Sequence, residues 1–380
     1  MNFPVRRAAA AAAIAVSALL AACGGGGSDI TPAAQVTSVK VVGDSLADSG
    51  AYGLKFTVQG TAASGAGSSA IWPERVAASY GQTLCPHYDL TGASVAVRPA
   101  CTNYAVARGA INYMKEANAP QSILRQLADA GAAGYGPGDL LLVVGGGNDA
   151  ADIISPYLAA PRDGGAAYQA VLASVLDAAT VQQLLAGGQA GMAQAGAVYM
   201  QALATRFAGA IKAQALDKGA PRVAVLNMPG ITLTPKFRMV LASVAQSAGP
   251  VAAAQAEALF DGWIRAFNTR LAEQFAGDSR VAVVDFYGSF KDQYEHPAQY
   301  AYTNVTTPAC PVTGVDGNGL PAYNFATCTG AALSANPPAG TSGAGWWERY
   351  AFSDSFHPTP YSHQLIGQLV SRSLSQAGWL

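Results

Sequence analysis

Two stretches of this 380-residue chain carry residue types that can do covalent chemistry together. Ser45 lies in "VKVVGDSLADSG" (39–50), just past a short apolar run, where a serine can serve as a turn residue, a helix cap or a nucleophile. His357 stands in "FSDSFHPTPYSHQLIGQLV", with Asp354 three residues upstream. A serine hydroxyl becomes a competent nucleophile when a neutral imidazole takes its proton and a carboxylate fixes the imidazole's tautomer. A spacing of three lets one tight turn present both side chains, carboxylate to one ring nitrogen, the other nitrogen free for a hydroxyl. The other histidines fit less well. His363 falls inside the helix-period segment that closes the chain, and His87 and His296 lack a carboxylate at comparable spacing.

A second motif, "GGGND" at 145–149, is read as a glycine-rich strand exit or as part of the same site; no Walker lysine or G-x-G-x-x-G accompanies it, which weakens a phosphate cradle. Asp44, Asp48, Asp149 and Asp152 suggest a metal cluster only at first sight. The better expectation is that Asp44 and Asp149 brace their loops and the other two are solvated. Arg108 either meets an anionic substrate group or faces water. Trp346, Trp347 and Tyr350 line a pocket or, more commonly for such residues, pack a loop.

Positioning these groups requires a scaffold. Four apolar runs, Val39–Gly43, Asp139–Val144, Arg222–Asn227 and Arg280–Phe286, do not alternate, as expected of parallel strands covered on both faces. Helical patterns lie between them, at Met200–Lys218 and most clearly at Pro250–Phe275, where Phe260, Ile264, Phe267, Leu271 and Phe275 share one stripe. Strands alternating with helices predict a doubly wound, flavodoxin-like α/β sheet in one domain. Ligands of such sheets sit at the carboxyl ends of the strands, which puts Ser45 and "GGGND" on one rim. Pro358 suits the start of the terminal helix. The Gly/Ser/Thr/Pro-rich stretches 50–70, 85–102 and 303–345 read as rim loops, the last long enough for a lid.

The N-terminus sets the compartment. Arg6 and Arg7 precede an apolar stretch from Ala8 to Leu20, too short and alanine-rich for a good membrane span. Leu20-Ala21-Ala22-Cys23 resembles a bacterial lipobox, which implies a signal peptide over 1–22, lipidation of Cys23 and a Gly/Ser-rich tether over 23–36. Gly24 resembles the outer-membrane-sorted type. The remaining cysteines, Cys85, Cys101, Cys310 and Cys328, are an even set in an exported chain. They favour two disulfides, with the sequence-near pairing preferred among three connectivities. A formal net charge of −1 without a basic cluster argues against nucleic acid.

"GDSL" at Gly43–Leu46, "NYAVARGA" at Asn103–Ala110, "GGND" at Gly146–Asp149 and "DSFH" at Asp354–His357, in that order, resemble the signature blocks of the SGNH/GDSL hydrolase family. "IWPERVA" (71–77) and "FNTRLAEQF" (267–275) are similar to its lipase-like members. The glycine block departs from the family's usual "NYAxGGA" by an apparent extra residue. The resemblance implies a hydrolase domain over 37–380 with Ser45 as nucleophile, His357 as general base then acid, and Asp354 as its orienter. It implies an oxyanion hole of the Ser45 and Gly109 N–H groups and the Asn148 amide. No cofactor or metal is implied, and the partner is an ester, with lipids among the candidates, met by a monomer held at the envelope membrane through its lipid anchor. Two rivals remain: an acyltransferase using the same acyl-enzyme, and a non-catalytic envelope-binding lipoprotein.

Overall fold

The computed structural model describes residues 35–60, 69–317 and 319–380. The expected signal peptide, Cys23 and nearly all of the 23–36 tether lie outside the described residues. From Gln35 onward the chain forms one compact unit.

Its centre is a parallel sheet of four strands, β1 (Ser38–Val42), β4 (Asp139–Val143), β5 (Val223–Leu226) and β6 (Val281–Val284), in that spatial order. The two-residue strands β2 (Tyr88–Asp89) and β3 (Ala96–Val97), and β7 (Val312–Val315) with β8 (Pro321–Tyr323), are separate hairpins. The register is unbroken, with Val41 beside Leu142, Leu142 beside Ala224, and Ala224 beside Ala282. On the free edge of β1 the segment 102–106 runs parallel to it. The Val41 N–H donates to the Thr102 carbonyl at 3.0 Å, and the Tyr104 N–H to the Val41 carbonyl at 2.7 Å. The chain therefore steps to one side of β1 first and to the other side with β4. This reversal opens a crevice at the carboxyl ends of β1 and β4.

Eleven helices surround the sheet among the described residues: α1 (Trp72–Ser79), α2 (Ile123–Ala132), α3 (Gly147–Asp163), α4 (Ala166–Ala173), α5 (Ala178–Leu185), α6 (Gly188–Gln214), α7 (Pro235–Ala248), α8 (Pro250–Phe275), α9 (Phe286–Glu295), α10 (Gly330–Ala335) and α11 (Pro360–Gln376). Leu141, Val143, Val223 and Val225 point to the face covered by Leu127 of α2, Phe207 of α6 and Phe267 of α8. On the other side α1 packs against α11, which also reaches β6. The predicted stripe of α8 is buried at all five positions, each large apolar side chain worth about 1.5–3 kcal/mol. α6 starts well before the predicted Met200, because small residues there buy close approach in place of a hydrophobic stripe. A Cβ on Gly196 would overlap the Trp263 indole, whose Nε1–H donates to the Ala193 carbonyl at 2.9 Å.

Candidate active site

Beyond β1 the chain turns at once. The Ala47 N–H donates to the Asp44 carbonyl at 3.0 Å, and Asp44 Oδ1 accepts the Leu46 N–H at 2.9 Å. These local bonds displace the helix that a strand-to-helix connection would have placed here. Asp48 is completely buried rather than solvated, because its carboxylate accepts the N–H groups of Gly50, Ala51 and Ala107. Asp152 is exposed, as expected. Ser45 is only 6% exposed at the strand's end, and its N–H has no partner among the described residues.

His357 Nε2 lies 2.8 Å from Ser45 Oγ, and its Nδ1 lies 2.8 Å from Asp354 Oδ2. A carboxylate can only accept, so Nδ1 carries the hydrogen and Nε2 is left to accept from the serine hydroxyl. The other carboxylate oxygen, Asp354 Oδ1, accepts the Phe356 N–H at 2.8 Å and the His357 N–H at 2.6 Å. Burial alone would raise the Asp354 pKa. The facing imidazole and these hydrogen bonds outweigh it and hold the carboxyl below its ordinary value. The loop is clamped further by Ser353 N–H to the His357 carbonyl at 2.7 Å and Lys236 N–H to the Ser355 carbonyl at 2.8 Å. Thr359 caps α11, and Pro360, not Pro358, takes the first helical turn.

Three rings surround the imidazole: Phe56, Phe325 and, from the DSFH block itself, Phe356, with centroids 5.4, 5.6 and 5.8 Å away. Phe325 is delivered by the 303–345 segment. That segment is folded by β7, β8 and α10 and pinned by the Cys310–Cys328 disulfide. Cys85–Cys101 is the second bridge, so the sequence-near pairing holds. Both bridges fit an oxidising, extracytoplasmic compartment, and no helix among the described residues is long and apolar enough to cross a membrane.

Asn148 enters from β4. Gly146 adopts φ 102°, a left-handed conformation that suits glycine, and α3 starts at the next residue. Asn148 Nδ2 donates to the Gly109 carbonyl at 2.9 Å, and the amide keeps a second N–H. Asp149, 1% exposed, accepts the N–H groups of Ile111 at 3.0 Å and Asn112 at 2.7 Å. Burial pushes its pKa up to about 7 against those two bonds. Asp44 is likewise pushed to about 6 by burial, against the Leu46 N–H and the nearby His357 imidazole. Both acids brace loops, as expected.

Gly109 differs from its expectation. Its N–H donates to the Val106 carbonyl at 2.9 Å, inside its own turn. A Cβ there would lie 2.6 Å from the Gly43 carbonyl oxygen and 3.0 Å from Asp44 Cα, so close backbone approach explains the glycine.

The remaining candidates lie apart. His363 is buried in α11, with Nδ1 accepting the Trp72 N–H at 3.3 Å. His87 lies against Tyr104 with centroids 4.2 Å apart and the rings tilted by 34°. His296 does have a carboxylate, Asp292 Oδ1 at 2.9 Å, because α9 brings residues four apart onto one face. Trp347 and Tyr350 pack with Cys310, Phe325 and Cys328, and Trp346 packs against that cluster. No group of three or more His, Cys, Asp or Glu among the described residues is placed to hold a metal ion.

Beside Ser45 and Asn148 opens an apolar pocket walled by Phe286, Phe290, Tyr294, Val305, Phe352, Phe356 and Ile366. In its wall three polar side chains bond one another: the Tyr302 hydroxyl lies 3.0 Å from Gln293 Oε1 and 2.8 Å from Ser362 Oγ. Phe356 apart, this wall lies outside the signature blocks noted in the sequence. Phe286, Phe290 and Tyr294, four apart just past β6, were its legible trace.

The sequence profile of the GDSL-like Lipase/Acylhydrolase family matches residues 39–370, from β1 into α11. No individual curated protein matches the chain. With nearly the whole described fold inside that match, the chain belongs to the GDSL-like lipase/acylhydrolase family and is a hydrolase of the GDSL type.

Proposed function

We propose that the protein hydrolyses carboxylic esters with apolar acyl groups through an acyl-enzyme on Ser45. The reading rests on the continuous relay of two 2.8 Å contacts, Asp354 to His357 and His357 to Ser45. Ser45 Oγ attacks the ester carbonyl as His357 Nε2 takes its proton, and Asp354 stabilises the imidazolium. The oxyanion is met by the free Ser45 N–H and the second N–H of Asn148, at the N-terminus of α3, where negative charge is favoured. The intermediate collapses as the alkoxide leaves with the proton from His357. Water then attacks the acyl carbonyl, giving its proton to Nε2, and the serine leaves with it as the acid departs.

The pocket supports an apolar acyl group, since its wall is mostly aromatic and aliphatic and its Tyr302, Gln293 and Ser362 side chains bond one another. An envelope lipoprotein anchored through Cys23, facing a lipid surface, is the location that suits such a substrate. The test is hydrolysis of p-nitrophenyl esters by the purified chain and by Ser45→Ala and His357→Ala. Both variants should lose activity by about 10³-fold or more while keeping the parent's circular dichroism. Full activity in either would remove the nucleophile assignment.

A further inference from the structure

We infer that the third oxyanion donor is the backbone N–H of Arg108, in place of the N–H of Gly109. The inference deepens the serine-esterase reading above and rests on it.

Hydrogen-bond accounting carries the argument. From Asn103 through Asn112 every backbone N–H but one donates within the protein. Asn103, Tyr104, Val106, Gly109 and Ala110 give to carbonyls, Ala105 to the Asn103 side chain, Ala107 to Asp48, and Ile111 and Asn112 to Asp149. Arg108 is the exception among the described residues. Backbone N–H groups in folded chains are nearly always paired, with protein, water or a ligand, so a lone free one in a tightly bonded run is informative.

Position adds to this. The 106–109 turn is bonded to the nucleophile's segment, with the Val106 N–H on the Gly43 carbonyl at 3.2 Å. At Gly109 it also packs on the backbone of Asp44, the residue before Ser45. On its other side the Gly109 carbonyl takes the Asn148 amide at 2.9 Å. The turn thus bridges Ser45 and Asn148, the other two donors. Its closing bond, from Gly109 to Val106, leaves the Arg108 N–H on the outside of the turn. Arg108 also holds φ 62°, a conformation that costs an L-residue and persists only where the surroundings enforce it. The extra residue in "NYAVARGA" has thereby moved the donor onto a residue with a side chain. The guanidinium is left exposed.

The test has two arms on the full chain. In the first, Ser45 is phosphorylated with diethyl p-nitrophenyl phosphate, releasing p-nitrophenolate, and the adduct's crystal structure is determined. The phosphoryl oxygen should lie about 2.7–3.1 Å from the nitrogens of Ser45 and Arg108. An oxygen bound instead by the Gly109 nitrogen, with Arg108 turned to solvent, overturns the inference. In the second, an α-hydroxy acid introduced by nonsense suppression replaces the N–H at position 108, and separately at 109, with an ester oxygen. Loss at 108 should lower kcat by about 10²–10³-fold with the unfolding midpoint unmoved. Loss at 109 should lower the midpoint, because it deletes the bond to Val106. An unchanged kcat at 108 overturns the inference. Failure of Ser45 to take the phosphoryl group is a different result, which overturns the serine reading itself.

Discussion

Asp354→Asn tests the relay with the least disturbance to its surroundings. Asparagine keeps the Oδ1 acceptor, so the bonds from the Phe356 and His357 N–H groups, 2.8 and 2.6 Å in the parent, survive and the loop stays shaped. The other carboxylate oxygen becomes an NH2 group facing His357 Nδ1, 2.8 Å from the present acceptor. Two donors cannot face each other there. Nδ1 must give up its hydrogen, Nε2 must take one, and the imidazole then donates to Ser45 Oγ when it should accept from it. Restoring the productive tautomer leaves two buried donors, the Nδ1–H and the amide N–H, facing each other unsatisfied, at about 1–3 kcal/mol each. At about 1.4 kcal/mol per decade this lowers kcat by about 10–10⁴-fold. KM should barely move, because Asp354 does not line the acyl pocket. The assay is p-nitrophenyl butyrate hydrolysis from pH 5 to pH 10, with thermal melts alongside. A kcat within about threefold of the parent, in a variant that melts with the parent, would refute the tautomer argument.

On the proposed mechanism Asn148→Ala removes one oxyanion donor and should cost about 2.7–4 kcal/mol of transition-state stabilisation, read as a drop in kcat of about 10²–10³-fold; a change confined to KM would count against it. Asp149, raised from 3.8 to about 7 by burial, keeps a proton in the folded chain that the unfolded chain has lost between those values. Its contribution is therefore complete below about pH 4 and lost as pH rises through about 7, on the order of 4 kcal/mol at most. Urea unfolding from pH 4 to pH 8 should show the parent falling relative to Asp149→Asn, and parallel curves would contradict this. The Cys310–Cys328 bridge closes a separation of 18 residues, worth about 3 kcal/mol. Because the Cys310 N–H also donates to the Ser353 carbonyl at 2.7 Å, the double serine variant should lose both melting temperature and activity; a variant that melts and turns over like the parent would detach the bridge from the site. Phe290→Trp narrows the pocket by roughly two methylenes and should lower kcat/KM for octanoate relative to acetate esters by about tenfold; an unchanged ratio would place the acyl chain elsewhere.

The parts of this protein that the sequence determined are those fixed by local pattern. Non-alternating apolar runs gave the four strands, since a strand covered on both faces has no polar side to show. A stripe of five apolar residues at helical spacing marked α8. Asp354 and His357 were legible as a pair because three residues in one turn suffice to join them. The rest depends on partners far apart in the chain. Asp48 reads as a solvated acid until the Ala107 N–H arrives to bury it. His296 reads as unpaired until α9 supplies a face shared with Asp292. Two of the rings around His357 come from residues 56 and 325, and no spacing rule relates them to it. Which N–H in "NYAVARGA" remains free is settled by where the turn's own hydrogen bonds fall. Burial and hydrogen-bond satisfaction are properties of the assembled neighbourhood, so a residue's type announces its chemistry while its neighbours decide whether that chemistry is available.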